Sequence, residues 1–307
     1  MARRRHDLPD TPVIPPSPST IDLHSHTSRS DGLLEPLELV RQASAAGVRL
    51  LAITDHDTVA GIREVLASGE IPAGLELIPG IELNAVVRDR RDLRESEVHI
   101  LGLGINLADE ALEVALTLQR DRRRVRFDEM VDRLREIGRP IDDALETLPA
   151  VSDDDALGRP RVARAMIAMG YAVSVEDAFS RYLAAGQAGY VPREGLNPRE
   201  CIELVHQARG IASLAHFSEA PEKPGLIDEL VGYGLDGIEV YYRSFEPATV
   251  AMMAAYAEGR GLVATGGSDY HGDLEPYAAT HNRLWVPPEV EAPLRRAISA
   301  AAGASIP

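Results

Sequence analysis

The stretch IDLHSHTSRSDG, residues 21–32, decides how the chain is read. Two histidines, His24 and His26, stand two apart after an apolar run, and an acid follows five residues later at Asp31. In a strand, residues i and i+2 point to the same side, so both imidazoles face one way. The pair is either a strand that carries polar residues or the first part of a metal site. The second reading holds only if the rest of the chain supplies further ligands.

Working outward, short apolar segments that end in polar residues recur: RLLAITDHD, LELIPGIEL, EVHILGLGI, GIASLAHF, DGIEVYY and GLVATGGSDYH. Helical patterns lie between many of them, such as EPLELVRQASAAG, where Leu37, Val40 and Ala43 share a face and Gly47 marks the end. Alternating strands and helices predict an α/β fold with mostly parallel strands. Seven strands with polar C-terminal ends suggest a barrel whose site gathers at that rim. From Asn106 to His206 the strand signal disappears, and Phe127, Met130, Val131, Leu134 and Ile137 follow helical spacing up to Gly138. Ser174 with Asp177 predicts a capping box, and Asn197-Pro198 opens another helix. The expected organisation is a disordered tail over 1–19, a barrel over 20–105 and 207–307, and a helical insertion over 106–206.

The chain has 307 residues, 45% of them hydrophobic, enough for a large core. Nothing approaches a membrane span, and the basic, Pro- and Ser-rich start lacks the apolar core of a signal peptide, so a cytoplasmic chain is expected. One cysteine, Cys201, excludes an internal disulfide or a multi-cysteine zinc knot. A net charge of -16 disfavours long duplex nucleic acid as the main ligand. Lys223 is the only lysine and sits in the loop-like EAPEKPG, so no P-loop, Schiff-base or carbamate lysine is available.

The strand ends carry the remaining candidates: Asp55, His56 and Asp57 in TDHDT, Glu82 in GIEL, His99, His216 in SLAHF, and Asp269 and His271 in GGSDYHG. Six of the nine histidines fall there. Any one of them alone reads as a hydrogen-bonded core residue. Six imidazoles and three carboxylates on one rim do not, because burying so many polar groups unpaired costs several kcal/mol each. Metal coordination is the simplest compensation. Nitrogen and carboxylate donors without thiolate suit Mn, Zn or Fe, with Mg less favoured, and the donor number calls for two to three divalent ions.

HSHTSRSDG, AITDHDTVAG, PGIELNA, VHILGLG, LAHF and GGSDYHG resemble, in order, the motifs of the PHP (polymerase and histidinol phosphatase) family of phosphoesterases over about residues 20 to 285. GRPRVARAM is similar to the GRPH segment of members that act on nucleotide phosphates, with Arg161 where those often have His. The resemblance is strongest to 3',5'-nucleoside bisphosphate phosphatases and 5'-to-3' RNA-trimming members. It implies a distorted (β/α)7 barrel with a helical inserted subdomain and a trinuclear site. In that arrangement His24, His26, Glu82 and Asp269 hold one ion, Glu82 bridges to a second completed by His99 and His216, and Asp31, His56 and His271 hold the third. It also implies attack on phosphorus by a metal-bound hydroxide, with no protein nucleophile.

A phosphate needs matching cationic donors, and Arg159, Arg161, Arg193 and Arg243 are the candidates. Asp55 or Asp57 is expected to orient His56 or to cap a helix. The run RDRRRVR, residues 120–126, reads as a solvated helix face, and His206 and His281 (the latter ahead of a late strand) read as structural. The expected substrate is a small phosphorylated nucleotide, with short RNA or histidinol phosphate as alternatives and no membrane partner. A metal-dependent amidohydrolase and a non-catalytic metal-stapled binding module are the readings from other classes. The absence of a well-placed lysine weighs against the first, and a rim with spare arginines against the second.

Overall fold

The computed structural model describes residues 18–88, 96–272 and 274–303. The tail expected over 1–19 lies, up to residue 17, outside the described residues; Ser19 is buried, and its hydroxyl donates to the Ile21 carbonyl at 2.7 Å. Each apolar run becomes a strand: β1 (Ile21–Asp22), β2 (Leu50–Ile53), β3 (Glu76–Val86), β4 (Glu97–Leu103), β5 (Ile211–Leu214), β6 (Gly237–Tyr242) and β7 (Val263–Gly267). They form one sheet in chain order. The expected parallel pairing is found everywhere except at β4, which is antiparallel to both β3 and β5. The cause is connection length. β3 and β4 are joined across residues 87–96, too short for the dozen or more residues that a parallel crossover needs.

The sheet curls until its edges meet. The Leu23 amide donates to the Gly266 carbonyl at 3.1 Å, His26 to Tyr270 at 3.0 Å, and Asp269 to His24 at 2.7 Å. A β-carbon on Gly267 would stand 2.4 Å from the His24 Cβ, so this closure requires glycine. Strand alternation sorts the core. Leu51 and Ile53 pack outward beneath helices, whereas Leu50 and Ala52 join Ile78, Leu101, Leu103 and Ile211 inside the barrel, plugged by Leu294.

Helices α1 (Pro36–Ala45), α2 (Ala60–Ser68), α8 (Pro224–Gly232) and α9 (Pro247–Arg260) link successive parallel strands, and α10 (Tyr277–His281) and α11 (Glu291–Gly303) follow β7. His281 thus ends a helix rather than preceding a strand. Between β4 and β5 lie α3 (Glu110–Glu136), α4 (Asp142–Thr147), α5 (Arg159–Ala168), α6 (Val175–Ala178) and α7 (Pro198–Gln207). The second half of α3 builds a separate small core with α4 to α6: Phe127, Met130 and Leu134 meet Ile141, Val162 and Met166. Fully burying a side chain such as Leu134 stabilises by about 1.5–3 kcal/mol. The α7 helix, within the stretch read as insertion, turns Ile202 and Val205 into the barrel core instead. Its full capping box is Asn197 with Glu200; at Ser174 the hydroxyl caps the Asp177 amide, but Asp177 accepts from Val173 rather than returning the bond.

Among the described residues, no helix is long and apolar enough to cross a membrane.

Candidate metal centre

All nine residues singled out in the sequence converge on one rim. His24 and His26 follow the two-residue β1 on irregular extended backbone, with Ser25 bridged to Tyr270. Glu82 lies within β3 rather than at its end, and His99 sits near the start of β4. Because β4 is antiparallel, its start is on the same rim as the ends of the other strands; His99 pairs with Asn84 across from β3.

Glu82 is at the middle. Its Oε2 lies 3.2 Å from His24 Nε2, 3.1 Å from His26 Nε2 and 3.0 Å from His56 Nδ1; its Oε1 lies 2.8 Å from His99 Nδ1 and 3.3 Å from His216 Nε2. Asp269 Oδ1 stands 3.1 Å from His26 Nε2 and 3.4 Å from His24 Nε2. Asp31 reaches His271 Nε2 at 3.2 Å, His56 Nε2 at 3.6 Å and His26 Nδ1 at 3.7 Å. Three groups of donors gather closely enough to share an ion: His24, His26, Glu82 and Asp269; His26, Asp31, His56 and His271; and His56, Glu82 and His99. His216 completes the last side, 3.2 Å from His99 Nδ1. This differs from the expected partition in one respect: His26 and His56 each stand between two groups.

The donors fit metal ions. His24 Nε2, both nitrogens of His26, His56 Nδ1 and Glu82 Oε2 are buried without a hydrogen-bond partner among the described residues, although each has a charged neighbour within 3.0 to 3.7 Å. Donors bound at about 2.1 Å to one ion stand about 3.0 Å apart in an octahedron and about 3.4 Å apart in a tetrahedron, and the observed spacings of 2.8 to 3.7 Å spread around those values. Burial disfavours every charged form here, yet the imidazoles hold Asp31, Glu82 and Asp269 well below the usual carboxylate range. Burial likewise opposes protonated His26, but Asp269 and Glu82 hold its pKa up at about 10. At His56 burial prevails and pulls the pKa down to about 4.

Supporting residues fix these side chains. The Glu239 carboxylate, fully buried on β6, faces His24 Nδ1 at 3.2 Å and accepts the His216 amide at 2.7 Å. Tyr242 donates to Asp269 Oδ2 at 2.9 Å. Asp55 spends its carboxylate away from the His56 ring: it accepts from the Thr27 amide, the Thr27 hydroxyl and the Ser30 hydroxyl, each at 2.7 Å, and so ties down the loop that presents Asp31. Asp57, His216 and Asp269 all have positive φ, at 48°, 30° and 47°, a backbone strain concentrated at the rim.

The arginine run on α3 corrects the sequence reading. Arg120, Arg123 and Arg126 are buried, not solvated, because their spacing of three puts them on the face that continues through Met130 and Leu134. Arg123 Nε donates to Asp57 Oδ2 at 2.6 Å, and its other nitrogens reach the Leu157 carbonyl and Asn84 Oδ1. Arg193 Nε and Arg159 Nη2 donate to Glu97 at 2.7 and 3.2 Å. Burial, with Arg193, Arg159 and Arg123 nearby, lowers the Arg126 guanidinium to about 9. Among the described residues, four guanidiniums thus gather around Glu97 and Asp57, next to Asn84, whose amide nitrogen is 2.6 Å from His99 Nε2. Arg161 stands elsewhere: it donates to the Pro149 carbonyl and lines a cleft of about 140 Å³ behind the Asp31 loop. Arg243, half-buried after Tyr242, has no ion pair with any described residue. The periodicity of the α3 arginines and the lone acid in GIEVYY were the available signals for the residues that sequence reading passed over.

A PHP domain model matches residues 22–275. The chain belongs to the PHP domain family. The 5'-3' exoribonuclease Rnm of Salmonella typhimurium (strain LT2) is 35% identical over 88% of this chain and 91% of its own length. The 3',5'-nucleoside bisphosphate phosphatase of Chromobacterium violaceum is 30% identical over 84% of this chain and 89% of its own. A solved structure from Bifidobacterium adolescentis, assigned as a metal-dependent phosphoesterase, superposes with a TM-score of 0.74 at 32% identity, covering 85% of this chain and 91% of that one. This PHP protein is therefore a metal-dependent hydrolase of phosphoric ester bonds.

Proposed function

We propose that this PHP protein hydrolyses the 3'-phosphoester of a small nucleotide that carries a second phosphate on its 5' side, a nucleoside 3',5'-bisphosphate. The arginine cluster carries the reading. Among the described residues, Arg123, Arg126, Arg159 and Arg193 gather around Glu97 and Asp57, one residue away from His99. A phosphate monoester bears about −1.5 to −2 at pH 7 and accepts from several guanidiniums at once. A substrate with one phosphate at the rim and another in the cluster satisfies both.

In this reading His24, His26, Glu82 and Asp269 hold one ion, Glu82, His99 and His216 a second, and Asp31, His56 and His271 a third, with Mn, Zn or Fe as the fitting metals. Bound ions supply Lewis acidity at the phosphoryl oxygens and water acidic enough to attack at neutral pH. Water adds its hydroxyl to phosphorus, the P–O3' bond breaks, and O3' leaves as a hydroxyl. Arg159 and Arg193, fixed by Glu97, hold the second phosphate, and the small core of α3 to α6 covers the cluster as a lid. Cys201 takes no part; burial against the barrel pushes its thiol far above its ordinary pKa.

The same bond exists at the 5' end of a short RNA, so exonucleolytic trimming is the second reading, favoured by the likeness to Rnm. Phosphate release with Mn²⁺ from adenosine 3',5'-bisphosphate, 5'-AMP, histidinol phosphate and a 5'-phosphorylated RNA tests both. Selective attack on the bisphosphate, lost in Asp269→Ala, is expected. Equal rates on the bisphosphate and 5'-AMP overturn the two-phosphate reading.

A further inference from the structure

The phosphoesterase reading leaves unused a cleft of about 290 Å³ between β6, the start of α9 and the segment ahead of α11. Its walls include Tyr241, Tyr242, Phe245, Val250, Arg283 and Trp285. The chain has one tryptophan, four phenylalanines and nine tyrosines, and this one cleft takes the tryptophan, one phenylalanine and two tyrosines. Tyr242 joins it to the rim. Its hydroxyl donates to Asp269 Oδ2 at 2.9 Å, its ring lies 5.7 Å from the His216 ring and meets Phe245 edge-on at 5.0 Å. The cleft therefore begins one side chain from the reacting phosphate. Cations flank it: Arg283 lines the cleft, and Arg243 follows Tyr242 at the end of β6.

We infer that this cleft is a stacking site for the base of the nucleotide that follows the scissile phosphate, so that the enzyme grips the trailing strand of a short RNA there. The inference rests on the proposed phosphoesterase chemistry and deepens it. With the 5'-phosphate in the arginine cluster on the lid side and the 3'-phosphate at the rim, the next nucleoside must leave along another wall of the barrel. β6 is two strands along from β4, which carries His99 and Glu97. Half-buried aromatic faces next to cations are what an unpaired base and its backbone require, and such stacking tolerates any base. A bisphosphate has no such nucleoside and leaves the cleft empty. Breaking P–O3' leaves the phosphate on the trailing strand, whose new 5' end is again a substrate.

The experiment compares kcat/KM of Mn²⁺-loaded enzyme for a 5'-phosphorylated trinucleotide and for adenosine 3',5'-bisphosphate in wild type, Trp285→Ala and Trp285→Phe. The ratio of RNA to bisphosphate should fall about tenfold in Trp285→Ala, in keeping with one lost stacking contact, and recover in Trp285→Phe. Because Trp285 is the only tryptophan, its emission reports the cleft directly, and a slowly hydrolysed phosphorothioate trinucleotide should quench it where the bisphosphate does not. An unchanged ratio with no selective quenching overturns the inference, as does a loss equal for both substrates, or a shift in sedimentation showing that a second copy fills the cleft. Wild-type enzyme that cleaves the bisphosphate but not RNA also overturns it and leaves the phosphatase reading standing. Wild-type enzyme inactive on both removes the underlying reading as well.

Discussion

The metal rim and the arginine cluster are both buried and densely charged, a few ångströms apart, yet their polar atoms are provided for in opposite ways. At the rim, five nitrogen and oxygen atoms of His24, His26, His56 and Glu82 have no hydrogen-bond partner among the described residues. In the cluster, each of the four guanidiniums donates to at least one protein oxygen. Positive charge crowds there, visible in Arg126, whose guanidinium burial and neighbouring arginines lower to about 9. The rim thus leaves most of its donor atoms open and asks for cations; the cluster anchors every guanidinium on protein oxygen, packs them side by side and asks for an anion. Two buried polar sites that look alike in composition can be told apart by which of these is missing.

The largest effect follows at the rim. Glu82 touches all three donor groups through its two oxygens, so Glu82→Gln should lower both metal stoichiometry and kcat. Loss of an ion that supplies several kcal/mol of transition-state stabilisation corresponds to about a thousandfold in kcat. Metal content by elemental analysis together with single-turnover rates checks this. Full metal loading with a normal rate would show that Glu82 is a packed carboxylate and not the centre of the site.

In the cluster, a substitution should separate binding from stability. Arg126 is a buried cation among cations, so Arg126→Met should leave thermal stability unchanged or raise it by about 1 kcal/mol, while KM for the bisphosphate rises about tenfold. Melting curves and steady-state kinetics measured on the same preparation test the contrast. A variant that melts earlier and binds normally would mean that the arginines brace the lid and hold no phosphate.

Much of the rim was legible because its residues end strands: once His24, His26, His56, His216, Asp269 and His271 are placed after apolar runs, a barrel brings them together. His99 is instructive, since it lies at the start of its strand and reaches the rim only because the short link after β3 makes β4 antiparallel. That orientation depends on pairing, which period-2 alternation does not report. Arg123 and Arg126 were hidden by composition: a run of arginines on a helix reads as solvated unless its spacing of three is matched to the apolar face beyond it. The aromatic cleft was beyond reach, since residues 241–254 and 283–287 are separated in the chain by β7 and α10 and meet only in the folded structure. Glu239 was visible as a single acid in an apolar strand, but nothing in GIEVYY says that its partner is His24, 215 residues away.

Glu239 also marks the finest difference between the two regions, because it acts on the rim as Glu97 acts on the cluster: a buried carboxylate that orients the groups doing the binding. Its oxygens lie 3.2 and 3.4 Å from His24 Nδ1, and one also accepts the His216 amide at 2.7 Å. A proton on Nδ1 is then favoured, which leaves Nε2 free to face Glu82 and Asp269. In Glu239→Gln one oxygen can still accept from His24, but the amide nitrogen would confront the His216 N–H, donor against donor. Metal affinity should therefore fall about tenfold to a hundredfold, while kcat at saturating Mn²⁺ returns to near the wild-type value. A Mn²⁺ activation curve, with direct metal binding measured by calorimetry, resolves the two quantities. If the activation midpoint does not move, the carboxylate packs the barrel without tuning His24. If kcat stays low at every metal concentration, Glu239 affects the reacting phosphate itself and belongs with Glu82 rather than with Glu97.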